Sequence, residues 1–291
     1  MSCNNILLHG AEGTTLVDSS YGSHVPQTLA LLDHALAGRR LAWLVNTHCH
    51  SDHMGGNRAV QAKYGCRTTI PAGEAPLIDA WDEERLLLAS ADQRAERFRY
   101  DDTLAPGAAV RMGGLDWEVL AAPGHDMHAL MFHAPAERLL ISGDALWEDG
   151  FGVVFGALFG DPHALAATRA TLDAIARLDV RTVIPGHGAP FDRVVPALER
   201  AYSRLEGFER DLTRLARHCA KVMLVFALLE KRRMPVAALP GYCATVEILR
   251  RLNQEFLGMT PDGLAEWLVS ELERARAVAR EGGDLVPLVD R

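Results

Sequence analysis

The sequence has little that would suit it to nucleic-acid binding or to disulfide formation. Its 38 Asp and Glu outnumber its 30 Lys and Arg, which gives a formal net charge of −8. General nucleic-acid binding needs clustered positive charge, so no nucleic-acid partner is expected. The chain has five Cys, an odd number, and none has C-x-x-C spacing. This favours a reducing compartment over a disulfide framework.

Long apolar segments and a basic leader are also lacking. The longest apolar run, VMLVFALL at 222–229, is far shorter than the roughly 20 residues of a membrane-spanning helix. The N-terminus has no basic segment followed by an apolar stretch, so we expect no signal peptide and no membrane partner. A G-x-S-x-G motif, which would mark a serine nucleophile, is absent. We therefore expect a cytoplasmic protein without a serine-hydrolase mechanism.

What is present predicts an α/β region followed by a helical one. Hydrophobic residues make up 48% of the chain, enough for a full core. Short strand patterns alternate with helix patterns over residues 1–190, including a largely helical stretch at 74–98. Residues 191–291 predict an all-helical appendage, with one long helix over 193–218 and another over 261–281.

The segment NTHCHSDHMGGN at 46–57 carries the clearest chemical signal. His48, His50, Asp52 and His53 fall within six residues, directly after the apolar run LAWLV. In extended backbone, residues two apart project to the same side, and a turn would bring the fourth side chain beside them. Imidazole and carboxylate ligands suit Zn, Fe, Mn or Co. The spacing therefore indicates a metal site at the end of a buried strand.

Three further candidate ligands follow predicted strands. His125 comes after WEVLAAP, Asp144 after LLIS and His187 after TVI, and each has Gly immediately before it. Glycine allows the sharp backbone turn that such a position needs. We expect these side chains to complete the metal site.

The order of these motifs over residues 1–190 resembles the metallo-β-lactamase fold superfamily. The resemblance implies an αββα sandwich with a dinuclear metal site at one edge of its two sheets. It also implies a ligand set: His48, His50 and His125 for one metal, Asp52, His53 and His187 for the other, and Asp144 bridging them. Asp18, in TLVDSS, matches a family residue that orients a ligand or its loop.

Among members of this fold, the ligand set is most similar to that of glyoxalase II and related thioester, lactone or phosphoester hydrolases. Metallo-β-lactamases commonly place Cys where Asp144 stands, and flavodiiron proteins place Glu where His50 stands. The resemblance implies an enzyme in which two divalent ions share a hydroxide that attacks an ester-like bond. Zinc is the expected metal, with iron or manganese as alternatives, and Asp52 is expected to orient the hydroxide. Thioester or lactone substrates are favoured over phosphodiesters because the chain is acidic and the loop after Asp144 is apolar.

Two other functions remain open at this point. A mono-iron persulfide dioxygenase of the same fold would retain many of these ligands with one iron. A ligand-binding or regulatory protein could retain the metal site without turnover. Metal count would identify the first alternative, and the absence of any hydrolysis would favour the second.

Residues around the ligands give weaker expectations. His128 is either a support for the site or a His at the start of a strand, and His24 lies on a loop whose tip could approach the metals. Phe151, Phe155 and Phe159 are expected to line an apolar pocket for a small-molecule substrate. The apolar stripes of the C-terminal helices favour either a homodimer interface or a substrate contact.

Overall fold

The computed structural model describes residues 3–288 and contains two five-stranded sheets. The strands of the first sheet lie in the order in which they follow one another in the chain. They are β1 (Ile6–Gly10), β2 (Gly13–Val17), β3 (Leu41–Val45), β4 (Arg67–Pro71) and β5 (Asp102–Leu104). β1 and β2 form an antiparallel hairpin, and β2 to β5 are parallel.

The second sheet has the order β10-β9-β8-β7-β6. Its strands are β6 (Ala109–Met112), β7 (Leu115–Ala121), β8 (Leu130–Ala134), β9 (Leu139–Gly143) and β10 (Thr182–Pro185). β9 and β10 pair in parallel, so both of these strands end at the same edge of the sheet.

The two sheets pack face to face. Val17 and Val45 of the first sheet form one apolar cluster with Trp117, Phe132 and Ile141 of the second. Side chains alternate across a strand, so the opposite faces of both sheets are free to bind helices.

Helices cover these outer faces. Before residue 191 they are α1 (Val25–Leu36), α2 (Ser51–Met54), α3 (Asn57–Tyr64), α4 (Ala75–Ala80), α5 (Phe155–Leu158) and α6 (Ala164–Arg177). α1 and α3 share an apolar cluster with β2 and β3, whereas α6 packs with the outer face of the second sheet. The predicted αββα sandwich is confirmed.

The C-terminal region is mainly helical, as predicted, but it also holds a small sheet. Its helices are α7 (Val194–Arg210), α8 (Leu212–Lys231), α9 (Leu239–Thr245), α10 (Glu247–Leu252) and α11 (Pro261–Arg274). Strands β11 (Met234–Pro235), β12 (Val278–Glu281) and β13 (Asp284–Pro287) form an antiparallel sheet in the order β11-β13-β12. The region is therefore not all-helical: the end of the helix expected over 261–281 forms the first strand of a β-hairpin.

The C-terminal helices share a hydrophobic core with the second sheet. Leu172 and Val183 belong to the same buried cluster as Leu205, Leu215 and Leu268. The apolar stripes that favoured a homodimer interface thus pack within this chain, and the homodimer stays a prediction. The division of the chain after residue 190 also stays a prediction. Among residues 3–288, no helix is both long enough and apolar enough to cross a membrane.

Candidate metal centre

Asp18 fixes the loop that carries the first candidate ligands. This loop leaves β3 after Val45, and Asp18 accepts hydrogen bonds from the Thr47 backbone N–H (2.8 Å) and hydroxyl (2.8 Å). Asp18 has a φ of 58°, a left-handed conformation that Asp tolerates better than most residues. Its Oδ2 also lies 2.9 Å from Nδ1 of His53, so it can accept that N–H and leave Nε2 facing the site.

The second pair of candidate ligands lies on a turn of helix. Asp52 and His53 belong to α2, which starts at Ser51, so the extended backbone expected through Asp52 ends at His50, two residues earlier. The chain then passes so close to the preceding loop that a Cβ on Gly56 would lie 2.2 Å from the Ser19 carbonyl oxygen. Glycine is required at this position because any side chain would clash with that backbone.

The later candidate ligands reach the same edge from the second sheet. His125 lies in the loop between β7 and β8, Asp144 directly follows β9, and His187 follows β10. A Cβ on Gly186 would lie only 2.3 Å from Oδ1 of Asp144, so a glycine lets these two strand ends converge.

Two groups of three side chains meet at this edge. Ligand atoms of His48, His50 and His125 all lie within 4.8 Å of one another, and His50 Nδ1 is 2.8 Å from His125 Nε2. These form the first ligand group. Asp52, His53 and His187 form the second ligand group within the same limit, and His187 Nε2 is 3.2 Å from Asp52 Oδ2.

Asp144 lies between the two groups. Its Oδ2 is 3.4 Å from Nε2 of His125 and 3.6 Å from Nε2 of His187. Its Oδ1 is 3.4 Å from Nε2 of His53. One carboxylate therefore contacts imidazoles of both ligand groups, as a bridging ligand would.

The donor atoms fit divalent metal ions. Within residues 3–288, the buried Nε2 atoms of His48 and His53 have no hydrogen-bond partner. A buried polar atom without a partner costs free energy. Metal ions at this site would accept the lone pair of each of these two nitrogens. Imidazole nitrogen and carboxylate oxygen are ligands for Zn, Fe and Mn alike, so the fit does not select one metal.

His48 and His50 of the first ligand group are held as neutral imidazoles. Burial, together with neighbouring His53 and His50, holds the pKa of His48 well below its ordinary value. Burial and His125 likewise lower the pKa of His50 to about 4. Neutral imidazole is the form that binds a metal, so these residues are ready to do so at neutral pH.

The carboxylates are held in their charged form. Burial acts to raise the pKa of Asp144, but His187 and His53 outweigh it and hold the pKa well below the usual range. The pKa of Asp52 is also lowered, since His53 and His187 outweigh its burial. Both are thus available as anionic ligands.

The comparisons with known proteins agree with this geometry. Residues 1–187 match the family model described as metallo-beta-lactamase superfamily. The chain belongs to this superfamily.

Individual relatives match the chain over only part of their length. A hydroxyacylglutathione hydrolase of Hyphomonas neptunium is 32% identical over 120 residues, 40% of each chain. A beta-lactamase-like protein 2 homolog of Caenorhabditis elegans is 26% identical over 214 residues, 73% of this chain and 64% of the relative. The chain therefore matches less than two thirds of the length of these relatives.

A solved metallo-beta-lactamase family protein of Thermus thermophilus superposes with a TM-score of 0.56. It is 22% identical, and the match covers 97% of this chain and 92% of that one. This likeness shows the fold over nearly the whole chain, including the C-terminal region.

In this superfamily member, a largely apolar cavity of about 370 Å³ opens onto the candidate ligands. We call it the metal cavity. The five candidate ligands in its lining are His50, Asp52, His125, Asp144 and His187. The opposite wall is apolar and includes Leu86, Val222, Val225, Phe226 and Leu272. Most of that wall comes from α8 and α11, so the C-terminal helices shape the site.

Of the three Phe residues expected in the pocket, only Phe155 lines the metal cavity. Its ring centroid lies 6.2 Å from that of His50 and 6.0 Å from that of His125. Phe151 points the other way and is buried against Phe208. Phe159 lies under the Arg251 guanidinium, 4.4 Å from ring centroid to carbon. For Phe151 and Phe159 the structure thus corrects the expectation, because Phe151 precedes α5 and packs into the core against Phe208, whereas Phe159 follows α5 and packs against Arg251.

The two peripheral His residues lie outside the metal cavity. His128 is exposed, and its ring sits so close to Gly73 that a Cβ there would lie 2.3 Å from Nδ1. His24 lies in a single helical turn with its ring centroid 6.4 Å from that of Tyr21. Neither is in the lining formed by the described residues, so direct substrate contact from either is not indicated.

Sequence reasoning missed several side chains that support the ligands. Trp147 donates from Nε1 to Asp144 Oδ1 at 3.2 Å. Asp126 lies 3.8 Å from Nε2 of His50. Burial and the charge of Asp126 raise the pKa of Glu74 to about 9, so this buried carboxyl is protonated. Asp126, next to His125, could have been suspected from the sequence, whereas Glu74 carries no signal in the chain.

Proposed function

We propose that this protein is a metal-dependent hydrolase that uses two divalent ions to cleave thioester or lactone bonds. The observation that carries the proposal is the position of Asp144, whose carboxylate lies within 3.6 Å of imidazoles from both ligand groups. A carboxylate between two ligand sets is the arrangement that holds a pair of metals.

Bound ions would lower the pKa of a water to about 7 and polarise the substrate carbonyl. The chain's own groups would then orient the reactants. Asp52 has one oxygen beside His187, and its second oxygen could accept a hydrogen bond from the attacking water. Trp147 holds Asp144 through its indole N–H, and Asp18 holds His53, so two ligands are positioned before substrate arrives.

The apolar metal cavity supports an acyl substrate. Apolar side chains face the ligands across a volume of about 370 Å³, large enough for a small acyl group and its linkage. The superfamily relatives named hydroxyacylglutathione hydrolase, by their name, act on a glutathione thioester. This supports a thioester for the present chain without identifying the thiol.

A substrate panel tests the proposal. The metal-loaded protein should hydrolyse at least one class among acyl thioesters, lactones, phosphodiesters and a β-lactam, with thioesters or lactones the fastest. Asp144→Asn should lower kcat/KM by about 10²-fold or more, because losing even a residue that supports a ligand costs 10- to 100-fold. Asp116→Asn, an exposed carboxylate of the second sheet, is the matched control and should leave the rate unchanged.

The contradicting result is equally clear. A fully metal-loaded protein that hydrolyses none of the four classes would reject the proposal and favour a binding role. Fastest turnover of the phosphodiester would reject the thioester or lactone preference.

A further inference from the structure

A strongly basic cleft adjoins the metal cavity on this acidic protein. It has a volume of about 850 Å³ and lies between α7 and α8, beside the loop that carries Asp149. Its five cationic residues are Arg200, Arg204, Arg214, Arg217 and Lys221, against the two carboxylates of Asp149 and Glu199. We call it the basic cleft. Its lining carries an excess of positive charge, although the chain as a whole has a net charge of −8.

Helix geometry concentrates these cations. Arg200 and Arg204 are four residues apart on α7, and Arg214, Arg217 and Lys221 follow at intervals of three and four on α8. Residues at such intervals share one face of a helix. The two basic faces meet across the groove, so the charges act on the same volume.

In the part of the chain that the structure describes, three of the five cations form no ion pair with a carboxylate. Arg200 lies 3.3 Å from Asp149 and Lys221 lies 3.6 Å from Glu271. Across residues 3–288, the guanidinium groups of Arg204, Arg214 and Arg217 form no ion pair. This leaves three guanidinium groups available to an anion from solution.

Arg204 is the most enclosed of these cations. It lies against Gly150, where a Cβ would come within 2.3 Å of Nη1, and burial lowers its pKa although the charge of Asp149 acts to raise it. Enclosing a cation that forms no ion pair costs free energy, which an anionic ligand would recover.

The basic cleft and the metal cavity are neighbours that share two lining residues. His218 and Lys221 of α8 line both, within one turn of helix. Val222 and Val225, further along α8, form part of the apolar wall that faces the ligands. A ligand that occupied both would lie along this apolar segment and reach the basic cleft past Lys221.

We propose that the basic cleft binds the phosphate groups of a thioester substrate's thiol carrier, while the acyl–sulfur linkage lies in the metal cavity. Arginine suits this role because its planar guanidinium binds phosphate through two parallel hydrogen bonds. The volume of about 850 Å³ is in the range that accommodates a nucleotide-sized group. This inference rests on the proposed hydrolase function and specifies its substrate class.

The reaction balances without a further reactant. Water adds its oxygen to the carbonyl carbon, and the carbon–sulfur bond breaks. The thiol leaves with one proton of the water, and the carboxylic acid releases the other at neutral pH. The phosphates take no part in bond making and serve only to bind the carrier.

A nucleic acid would be the other source of phosphates, but the surroundings of the basic cleft disfavour it. Helix α11 adjoins the basic cleft through the Lys221–Glu271 ion pair, and it carries four acidic residues and one Arg: Asp262, Glu266, Glu271, Glu273 and Arg274. An extended polyanion would meet this acidic surface, whereas a small carrier would not.

The test compares thioesters that differ only in their phosphates. Hexanoyl-coenzyme A carries phosphates, hexanoyl-pantetheine lacks them, and S-hexanoylglutathione carries carboxylates instead. The coenzyme A thioester should have a kcat/KM about 10- to 100-fold above that of the pantetheine thioester, as expected for one charge-assisted hydrogen bond. Arg214→Gln/Arg217→Gln should raise KM for the coenzyme A thioester by a similar factor and leave the pantetheine thioester unaffected.

Arg177→Gln/Arg193→Gln is the matched control. It also removes two exposed cations, but neither lines the basic cleft, so all three substrates should be unaffected. Equal kcat/KM for the coenzyme A and pantetheine thioesters would overturn the proposal. So would a preference for the glutathione thioester, or the Arg214→Gln/Arg217→Gln variant losing affinity for a 20-nucleotide RNA while it hydrolyses the coenzyme A thioester normally.

A binding measurement separates this inference from the proposed function. Titration calorimetry with adenosine 3′,5′-bisphosphate needs no turnover and should show binding that weakens with added salt and in the Arg214→Gln/Arg217→Gln variant. Such binding without hydrolysis of any of the four substrate classes would reject the hydrolase function and leave a phosphate site in the basic cleft. Hydrolysis without such binding would reject the phosphate site alone.

Discussion

At the scale of single residues, the site depends on a few short contacts between ligands and the side chains behind them. Asp18 is such a side chain, since it accepts hydrogen bonds from both the loop before His48 and the ring of His53. One buried carboxylate thereby fixes the orientation of ligands from two parts of the motif. Trp147 orients Asp144 in the same way, through the hydrogen bond that its indole N–H donates.

Removing the Phe155 ring should change which acyl groups are accepted. This ring lines the metal cavity, so Phe155→Ala should lower kcat/KM for aryl or long acyl substrates relative to acetyl. The expected factor is about 10-fold or more, because that is the fold-change to which the free energy of burying one such side chain corresponds. Steady-state kinetics on an acyl series measures the change.

Phe159→Ala is the control for that substitution, because the Phe159 ring lies outside the metal cavity against Arg251. An unchanged acyl preference in Phe155→Ala would show that the ring packs in the wall without contacting substrate.

Metal affinity should increase with pH between about 6 and 8. Burial acts to lower the pKa of His187, but Asp144 and Asp52 raise it well above its ordinary value, and acidic neighbours do the same for His53. Without metal these imidazoles hold protons at pH 7, and a metal must displace them. Each displaced proton strengthens binding about tenfold per pH unit while the imidazole remains protonated.

Calorimetry in buffers of different ionisation enthalpy would count the released protons. A metal affinity that stays constant across this range, with no proton release, would contradict the coupling.

Residue types and spacing sufficed to predict which side chains meet at the sheet edge. His48, His125 and His187 each follow a strand pattern, and the structure brings them together. Glu74 could not be predicted, because its burial beside Asp126 depends on how α4 packs against a distant loop. Which of the three Phe rings lines the metal cavity also depends on local turns, and the spacing of aromatic residues in the sequence does not specify those turns.

At the scale of elements, the main difference from the sequence prediction lies between α7 and α8. The sequence predicts one helix over 193–218, but the chain breaks at Asp211, whose φ of −153° and ψ of 100° are extended. The Asp211 side chain accepts from the Thr213 backbone N–H and caps α8. The helical spacing of apolar residues continues across Asp211 from α7 into α8, so the sequence pattern does not reveal the break. This break turns α8 back across the site, where it lines the metal cavity.

Asp211→Ala should therefore destabilise the protein by about 1 kcal/mol, the usual cost of losing a helix N-cap. For a chain of this size, the melting temperature should fall by a few degrees, measured by circular dichroism. Asp211→Asn retains a capping oxygen and should melt close to the parent. If the Ala and Asn variants melted alike, the cap would not be what starts α8.

The segment expected to be helical over 74–98 shows a second limit of prediction. α4, six residues long, and a single 3-10 turn at Ala89–Ala91 are the helices that form there, and Trp81, Leu87 and Asp92 all adopt positive φ. Leu86 and Leu88 nevertheless bury their side chains in a local cluster. Tertiary packing has outweighed helix propensity in this segment.

At the scale of the whole molecule, the sandwich supplies the ligands and the C-terminal region supplies the opposite wall. The shared core joins α7, α8 and α11 to the second sheet, so the distance between ligands and wall is fixed by packing. The αββα layers followed from the sequence through its resemblance to a known superfamily. The small sheet of β11, β12 and β13 did not, because its strands are short and continue helical patterns.

The same arrangement explains how one fold can take different substrates. The ligands lie at strand ends, whereas the metal cavity wall and the basic cleft are built from α8 and its neighbours. Changes in the C-terminal helices can therefore alter substrate choice without touching the ligands.

The most direct test of the account is a metal titration of the metal-free protein, followed by both elemental analysis and thioester hydrolysis. The account predicts that activity rises until two divalent ions are bound per chain, and that Asp144→Asn binds fewer. Full activity with a single iron per chain, accompanied by oxygen uptake on a glutathione persulfide, would contradict it and would establish a mono-iron dioxygenase instead.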